Sequence, residues 1–331
     1  IVGDPNQLPP TSFGQAAIDE DTFDEDFGDE SILDMAYAVL HPPRELLWHY
    51  RSRHEDLIKL SNYEFYKNLM IPVTADKNKP NRGIKHIYLP KGRYIVGSKA
   101  NAGGANIVEA DAIVNEIVKF MKNRPKESIG VATMNIKQAR LIDNKFRQVA
   151  NRDTLVMKYL SDWMKKDNGL HEFFVKSLEN VQGDERDVIF LSMGYGKDKN
   201  GKLHMGFGPL NQKGGERRLN VLVTRAREKI CFFTSVKSSD FDLSRTNSRG
   251  VKLLHQYLQF AESDGDESVL ENPFEFSADI DQDNIFQQGV YAEIIEAGYD
   301  AVQEVGQAGY KIDIGIIDPN VKSKFLLAVE C

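Results

Sequence analysis

The chain reads as an α/β protein built around a mostly parallel sheet, on three observations. Short unbroken apolar runs recur at strand length, at Ile129 to Thr133, Val188 to Met193 and Lys229 to Ser235. Strands apolar on both faces are what a sheet covered by helices on both sides requires. Between the runs lie stretches with apolar residues at helical spacing. The clearest spans Asn106 to Lys122, where Ile107, Ala110, Ile113, Val114, Ile117, Val118 and Met121 recur. Turn residues punctuate the pattern, as in Gly3-Asp4-Pro5 and Gln182-Gly183-Asp184.

Composition narrows the classes. With 331 residues the chain has room for two or three domains, and 41% hydrophobic residues supply a sizeable core. No apolar run is long enough to span a membrane and no secretory signal opens the chain, so no membrane partner is expected. Two cysteines, Cys231 and Cys331, are too few for a disulfide framework or a zinc cluster, which fits a reducing cytoplasm. The net charge of −7 argues against a basic coat that binds nucleic acid without selection, but leaves room for a local basic groove. Eight of the twelve residues from Asp19 to Glu30 are acidic, which reads as a solvated surface insertion. Ile1 without an initiating Met, and a strand-like close at Phe325 to Glu330, are expected of a fragment of a longer protein.

Taken in order, Ile1–Val2 reads as the end of a strand. The loop Gly3 to Thr11 follows, stiffened by its prolines. A short strand within Glu45 to Arg53 would deliver Tyr50 and Arg51 at its carboxyl end, the usual ligand edge of open α/β sheets. A helix is predicted for His54 to Tyr66 and a strand for Ile84 to Leu89. The helix from Asn106 has a capping-box-like start with Glu109 and is assigned to core packing alone. After the strand at Ile129, Thr133-Met134-Asn135-Ile136-Lys137-Gln138 leads into a helix with Leu141, Ile142, Phe146 and Val149. Hydroxyl and amide groups of Thr133, Asn135 and Gln138 could contact phosphates, though Asn135 reads equally well as a helix cap. Asn151 to Leu170 reads as helix and Phe173 to Leu178 as strand. Tyr195 to Gly215, rich in Gly and Lys, reads as an exposed hairpin or a mobile linker. A helix at Val251 to Ala261 is followed by a polar linker. The last part reads as a helix from Ile285 to Ala297, then strands near Tyr299 to Val305, Lys311 to Ile317 and Lys324 to Glu330.

Four strings carry a resemblance when taken together. They are G-D-P-N-Q-L-P-P at Gly3, Y-R at Tyr50, S-L-E-N-V-Q-G-D-E ending at Glu185, and E-R-R-L-N-V-L-V-T-R-A-R from Glu216 to Arg227. In kind and order they resemble motifs of superfamily 1 nucleic-acid helicases of the Upf/RecD-like branch. Val181 stands where the family has phenylalanine. The resemblance implies the tail of a first RecA-like domain (1–43), a second RecA-like domain of the P-loop NTPase fold (44–262) and a linker (263–281). It also implies an ATP-driven motor on single-stranded DNA or RNA, with ATP and Mg²⁺ as cofactors and the missing N-terminal RecA-like domain as partner. Gln7, Arg51 and Arg225 become the γ-phosphate sensors, Gln7 because a neutral amide both donates and accepts toward water, the arginines because their planar forks bind phosphate oxygens. Asp4, Tyr50, Gln182, Gly183 and Glu185 become nucleotide contacts, with Tyr50 near adenine and Glu185 toward a ribose hydroxyl. Thr133, Asn135, Gln138 and Thr224 become nucleic-acid contacts.

Residues 282–331 resemble the start of a PD-(D/E)xK nuclease core, an α/β restriction-endonuclease-like domain. That resemblance implies a divalent metal held by Asp313 and Glu330, with Glu293 on the preceding helix as a further candidate. Ile312 stands where the family has proline. No G-x-x-x-x-G-K-[ST] phosphate loop occurs in the chain, so these residues alone are expected not to hydrolyse ATP. Two other readings stand beside the motor: a non-hydrolysing module that binds nucleic acid or a partner, and a nuclease as the main activity.

Overall fold

Alternate residues of the central strands enter opposite cores, so both faces of one sheet are buried. The computed structural model of the chain describes residues 3–8, 32–33, 36, 40, 46, 48–66, 82–95, 104–270, 282–307, 310–319 and 324–330. The expected strand at Ile1–Val2 and the acidic run from Asp19 to Glu30 lie outside the described residues, as does Cys331. Five strands form the sheet: β1 (Gly83–Tyr88), β2 (Ile129–Thr133), β3 (Phe174–Ser177), β4 (Arg186–Ser192) and β5 (Ala226–Thr234). Their order is β1-β5-β4-β2-β3 and every pairing is parallel. This is the mostly parallel α/β architecture that the apolar runs predict, and it is consistent with the RecA-like domain that the motif resemblance implies.

The alternation is explicit in β4 and β5. Ile189, Leu191, Ile230 and Phe232 face one core, with the helices α1 (Lys59–Phe65), α5 (Gly215–Val223) and α6 (Arg249–Glu262). Val188, Phe190, Cys231 and Phe233 face the other, with α2 (Ile107–Asn123), α3 (Ile136–Ala150) and α4 (Thr154–Lys165). Cys231 is a buried free thiol, as its place in an apolar strand implies. The helix starts follow local chemistry: Asn106, Asn135, Asp153 and Ser248 each accept a backbone N–H of the first turn. Among the described residues no helix is long and apolar enough to cross a membrane.

Three expectations are corrected. The helix predicted from His54 is divided into a 3-10 turn, Glu55–Leu57, and α1, because Ile58 between them leaves helical geometry at φ −124°. Strand β5 begins at Ala226 rather than Lys229, which places Arg227 inside the sheet. The stretch from Tyr195 to Gly215 is not a mobile linker: its polar residues are exposed, but Leu203, Met205, Phe207 and Leu210 are buried in the core shared with α5 and α6. Phe207 stacks on Phe241 with ring centroids 5.2 Å apart and meets Tyr195 edge-on at 5.3 Å. Large side chains spaced between glycines and lysines anchor the stretch despite its polar composition.

Helices α5 and α6 meet through bare backbone. A Cβ added at Gly215 would lie 2.2 Å from the Leu210 carbonyl oxygen, and one at Gly250 would lie 2.4 Å from the same atom. Neither position can take a side chain unless the helices separate.

The later residues form a second sheet. Helix α7 (Gln282–Glu296) precedes β6 (Ala301–Gln307), β7 (Tyr310–Ile317) and β8 (Phe325–Val329), which pair antiparallel with β7 in the centre. The side chain of Gln287 on α7 donates to the Asp313 carbonyl at 3.1 Å.

Phe207→Ala is expected to lower stability by about 3–5 kcal/mol, the range for removing a fully buried aromatic ring. Urea unfolding measures it. A loss below about 0.5 kcal/mol would be the behaviour of a solvated surface position and would refute the packing described.

Candidate functional site

In a parallel sheet the amino ends of all strands lie along one edge. The loop after β3 turns at Gly183, whose φ of +86° suits glycine, and delivers Glu185 just before β4. Helix α5 ends at Val223, leaving Thr224 and Arg225 immediately before β5. The Arg53 N–H donates to the Arg227 carbonyl at 2.6 Å and fastens residues 51–53 to this same edge. Arg51 therefore lies at the amino ends of β4 and β5. Its neighbour Tyr50 is 84% exposed, a ring open to a stacking partner.

Glu185 sits between two arginines. Arg51 Nε donates to one carboxylate oxygen at 2.8 Å, and Arg227 Nε donates to the other at 2.9 Å. Burial is the largest single influence on Glu185 and pushes its pKa up, but the hydrogen bonds and charges of Arg227 and Arg51 together hold it below the usual carboxylate range. Both oxygens are thus engaged, so in this conformation Glu185 is an ion-pair hub rather than an open acceptor for a ribose hydroxyl.

Arg225 has a different setting. It is 1% exposed, and no described carboxylate forms an ion pair with it. Its Nε donates to the Val221 carbonyl at 2.7 Å and its Nη2 to Thr224 Oγ1 at 2.9 Å. Burial, and then the nearby charge of Arg51, lower its pKa to about 10. His49, also buried, is lowered to about 4 by burial and by Arg51 and Arg225. Its Nε2 accepts the Ser52 N–H at 3.2 Å, as a neutral imidazole does. Thr224, expected at nucleic acid, is 5% exposed and donates to the Asn220 and Val221 carbonyls instead.

The Gly3 to Leu8 loop joins this edge through two residues the motifs did not single out. Asp4 accepts from Gln7 Nε2 at 2.9 Å and from Tyr66 Oη at 2.6 Å. Asn220 Nδ2 donates to the Asn6 carbonyl at 2.9 Å and to Tyr66 Oη at 3.2 Å. Gln182 Nε2 donates to the Leu8 carbonyl at 3.2 Å. Gln7 is therefore turned onto Asp4, and burial together with Asp4 raises the Tyr66 pKa. Asn220 Oδ1 is buried without a hydrogen-bond partner. Asp4, Gln7, Arg51, Gln182, Gly183, Glu185 and Arg225 are thus gathered on one edge from four separated stretches of sequence.

The opposite edge holds the second set. Thr133 and Gln138 are fully buried, which corrects the expectation that they reach phosphates directly. Thr133 Oγ1 donates to the Asn135 carbonyl at 2.6 Å; Gln138 Oε1 accepts the Asn106 N–H at 2.8 Å and its Nε2 donates to Ser192 Oγ at 3.1 Å. Asn135 caps α3 by accepting the Gln138 N–H at 2.8 Å, while its own Nδ2 donor is buried and unpartnered. The buried face of α2 carries an acid the sequence reading assigned to packing. Glu109 falls in line with Ile113 and Ile117 at four-residue spacing, and that line is the signal that it points inward.

In the second sheet, Asp313 and Glu330 flank the paired residues Ile314 and Val329 on adjacent strands. Glu293 lies on α7 beside the groove formed with Tyr299 and Ile316. Among the described residues no three His, Cys, Asp or Glu side chains are arranged to hold a metal ion, so Glu293 does not complete a site with the other two.

Known proteins share this sequence. A family model described as an AAA domain matches residues 29–237. A Mycoplasma pneumoniae protein named as an uncharacterized ATP-dependent helicase, the MG140 homolog, is 33% identical over 279 residues, covering 80% of this chain and 23% of that protein. Its Mycoplasma genitalium counterpart, MG140, is 34% identical over 276 residues with the same coverage. A Danio rerio protein named putative helicase mov-10-B.1 is 27% identical over 197 residues, 55% of this chain and 18% of that one. The chain therefore spans less than a quarter of the length of these relatives.

Glu185 supports a pH test. A carboxylate held below its unfolded pKa of about 4.5 contributes stability above that pH and loses it as the pH falls through the folded value. Glu185→Gln is expected to unfold at lower urea than wild type at pH 7, and the gap is expected to narrow by pH 3. A gap of equal size at both pH values would count against the ion pairs.

Proposed function

The chain belongs to the AAA-domain family, and on that premise we propose that it is the second motor half of a superfamily 1 nucleic-acid helicase of the Upf/RecD-like branch. The motor couples ATP hydrolysis to movement on single-stranded DNA or RNA. The observation that carries this reading is Arg225, a buried guanidinium beside a second cation, Arg51, with no ion-pair partner among the described residues. An anion delivered to this edge relieves that repulsion, and a triphosphate is the anion that both forks fit. When bound, ATP supplies the γ-phosphate charge that the two arginines answer.

The chain's own groups then divide the work. Gln7 leaves Asp4 to orient the attacking water, and Arg51 leaves Glu185 to meet phosphate oxygen. Glu185 remains tied to Arg227 or turns to the ribose, and the exposed ring of Tyr50 stacks on adenine. Mg²⁺ and the phosphate loop belong to the first motor half, since these 331 residues contain no such loop. On the opposite edge, the Thr133–Gln138 loop is read as facing the nucleic-acid backbone; its Asn135 Nδ2 is a buried donor left over for a phosphate oxygen once that loop uncovers it. Asp313 and Glu330, on adjacent strands, support a nuclease-like unit following the motor.

The test is ATP hydrolysis stimulated by single-stranded nucleic acid, in the protein carrying both motor halves. Arg225→Ala is expected to lower stimulated turnover by ~10³-fold, the scale of a phosphate-sensing arginine, while the 331-residue chain by itself turns over no ATP. Full activity in the variant would remove Arg225 from the mechanism. A wild-type protein without turnover would point to the non-hydrolysing binding module instead.

A further inference from the structure

Glu109 is a fully buried carboxyl group with no cation beside it among the described residues, and four donors converge on it. Ser192 Oγ and the Gly194 N–H donate to Oε2 at 2.9 and 2.7 Å; Ser235 Oγ and Asn106 Nδ2 lie 2.8 and 3.2 Å from Oε1. These groups belong to three separate elements. Ser192 and Gly194 end β4 and begin its loop, Ser235 follows β5, and Asn106 caps α2. A fourth element is tied in one step further, because Gln138 in the first turn of α3 donates to Ser192 Oγ and exchanges two hydrogen bonds with the Asn106 backbone. Glu109 is thus the common acceptor for the carboxyl ends of β4 and β5 and the start of α2.

The donor set explains why the residue is an acid. The Gly194 N–H and the Asn106 Nδ2 group can only donate, and they sit on different oxygens. Both oxygens must accept. A glutamine of the same shape turns an NH₂ group toward one of these donors, and an alanine leaves all four without their acceptor. Burial pushes the Glu109 carboxyl up to about 7, against the pull of its hydrogen bonds from Gly194, Ser235 and Ser192. Only the two serine hydroxyls can reverse to receive a proton from it, so the cage has one rigid side on each oxygen and one adaptable side.

We propose that Glu109 is a positioning residue for the proposed nucleic-acid face: it fixes the loops after β4 and β5 and, through Gln138, the Thr133–Gln138 loop that holds the buried Asn135 amide. The role rests on the reading of that edge as a nucleic-acid surface, and it adds a residue that makes no contact with the strand. Glu109 sets where the contacting groups stand rather than how tightly any one of them binds.

The experiment compares wild type, Glu109→Gln and a core variant at Leu254 chosen to match the stability of Glu109→Gln, all in the 331-residue chain. Leu254 lies on α6, in the core on the opposite face of the sheet from α2 and α3. Residue-level amide exchange follows 133–138 and 193–196, and fluorescence anisotropy follows binding of a labelled twenty-nucleotide oligo-dT. The expected result is exchange at least tenfold faster at Gly194 and in 133–138, with binding at least tenfold weaker, in Glu109→Gln alone. Unchanged exchange and affinity in Glu109→Gln would overturn the proposal, as would equal losses in the Leu254 variant. If wild type does not bind oligo-dT, the nucleic-acid reading of this edge has failed, and the exchange comparison by itself upholds or overturns the positioning role.

Discussion

Parallel pairing is the constraint on which the molecule depends. Five strands running the same way must put all their starts on one edge and all their ends on the other, and each must be covered on both faces. The two edges have acquired opposite chemistry. The starting edge holds charges in pairs: Glu185 between Arg51 and Arg227, and Arg225 enclosed near them. The finishing edge is built from amides and hydroxyls around one carboxyl group. Strands β4 and β5 reach both. At ~3.3 Å per residue, the seven residues of β4 separate the two chemistries by roughly 20 Å of backbone packed on each side. Whatever is bound at one edge acts on the other through a rod that cannot bend locally without opening a core.

The energetics differ between the edges. At the starting edge, Arg51, Arg227 and Glu185 remain partly exposed, so solvent screens their attraction and the ion pairs give geometry more than stability. A partly solvated pair is also one that can be exchanged for another at small cost. The finishing edge is dry. Losing one acceptor there strands several donors at once, so its arrangement is held firmly.

The central strands were legible because double burial leaves an unbroken apolar run, which few other structures produce. The hairpin at Tyr195 to Gly215 was not, because its glycines and lysines dilute four anchoring side chains whose partner, Phe241, lies beyond the next strand. The motif strings named Arg51, Glu185 and Arg225. They could not show that Arg51 and Glu185 pair with each other, since 134 residues separate them. The helical wheel held a signal that went unused. Glu109 shares a line with Ile113 and Ile117, and Gln138 shares one with Ile142 and Phe146, so both polar side chains were already marked as facing inward. Polar residues on an apolar stripe are costly unless paired, and such pairing is visible only when the elements are assembled.

The contact of Gly215 and Gly250 with the Leu210 carbonyl has a mechanical meaning. Backbone pressed against backbone at these two glycines leaves no side chain there to re-pack, so α5 and α6 are pinned at this point. Arg225 hangs from the end of α5 and shares this lack of play. It can travel only when helices, hairpin and sheet travel with it as one solid piece. The arginine is a tooth fixed to a gear, and the gear is the whole domain.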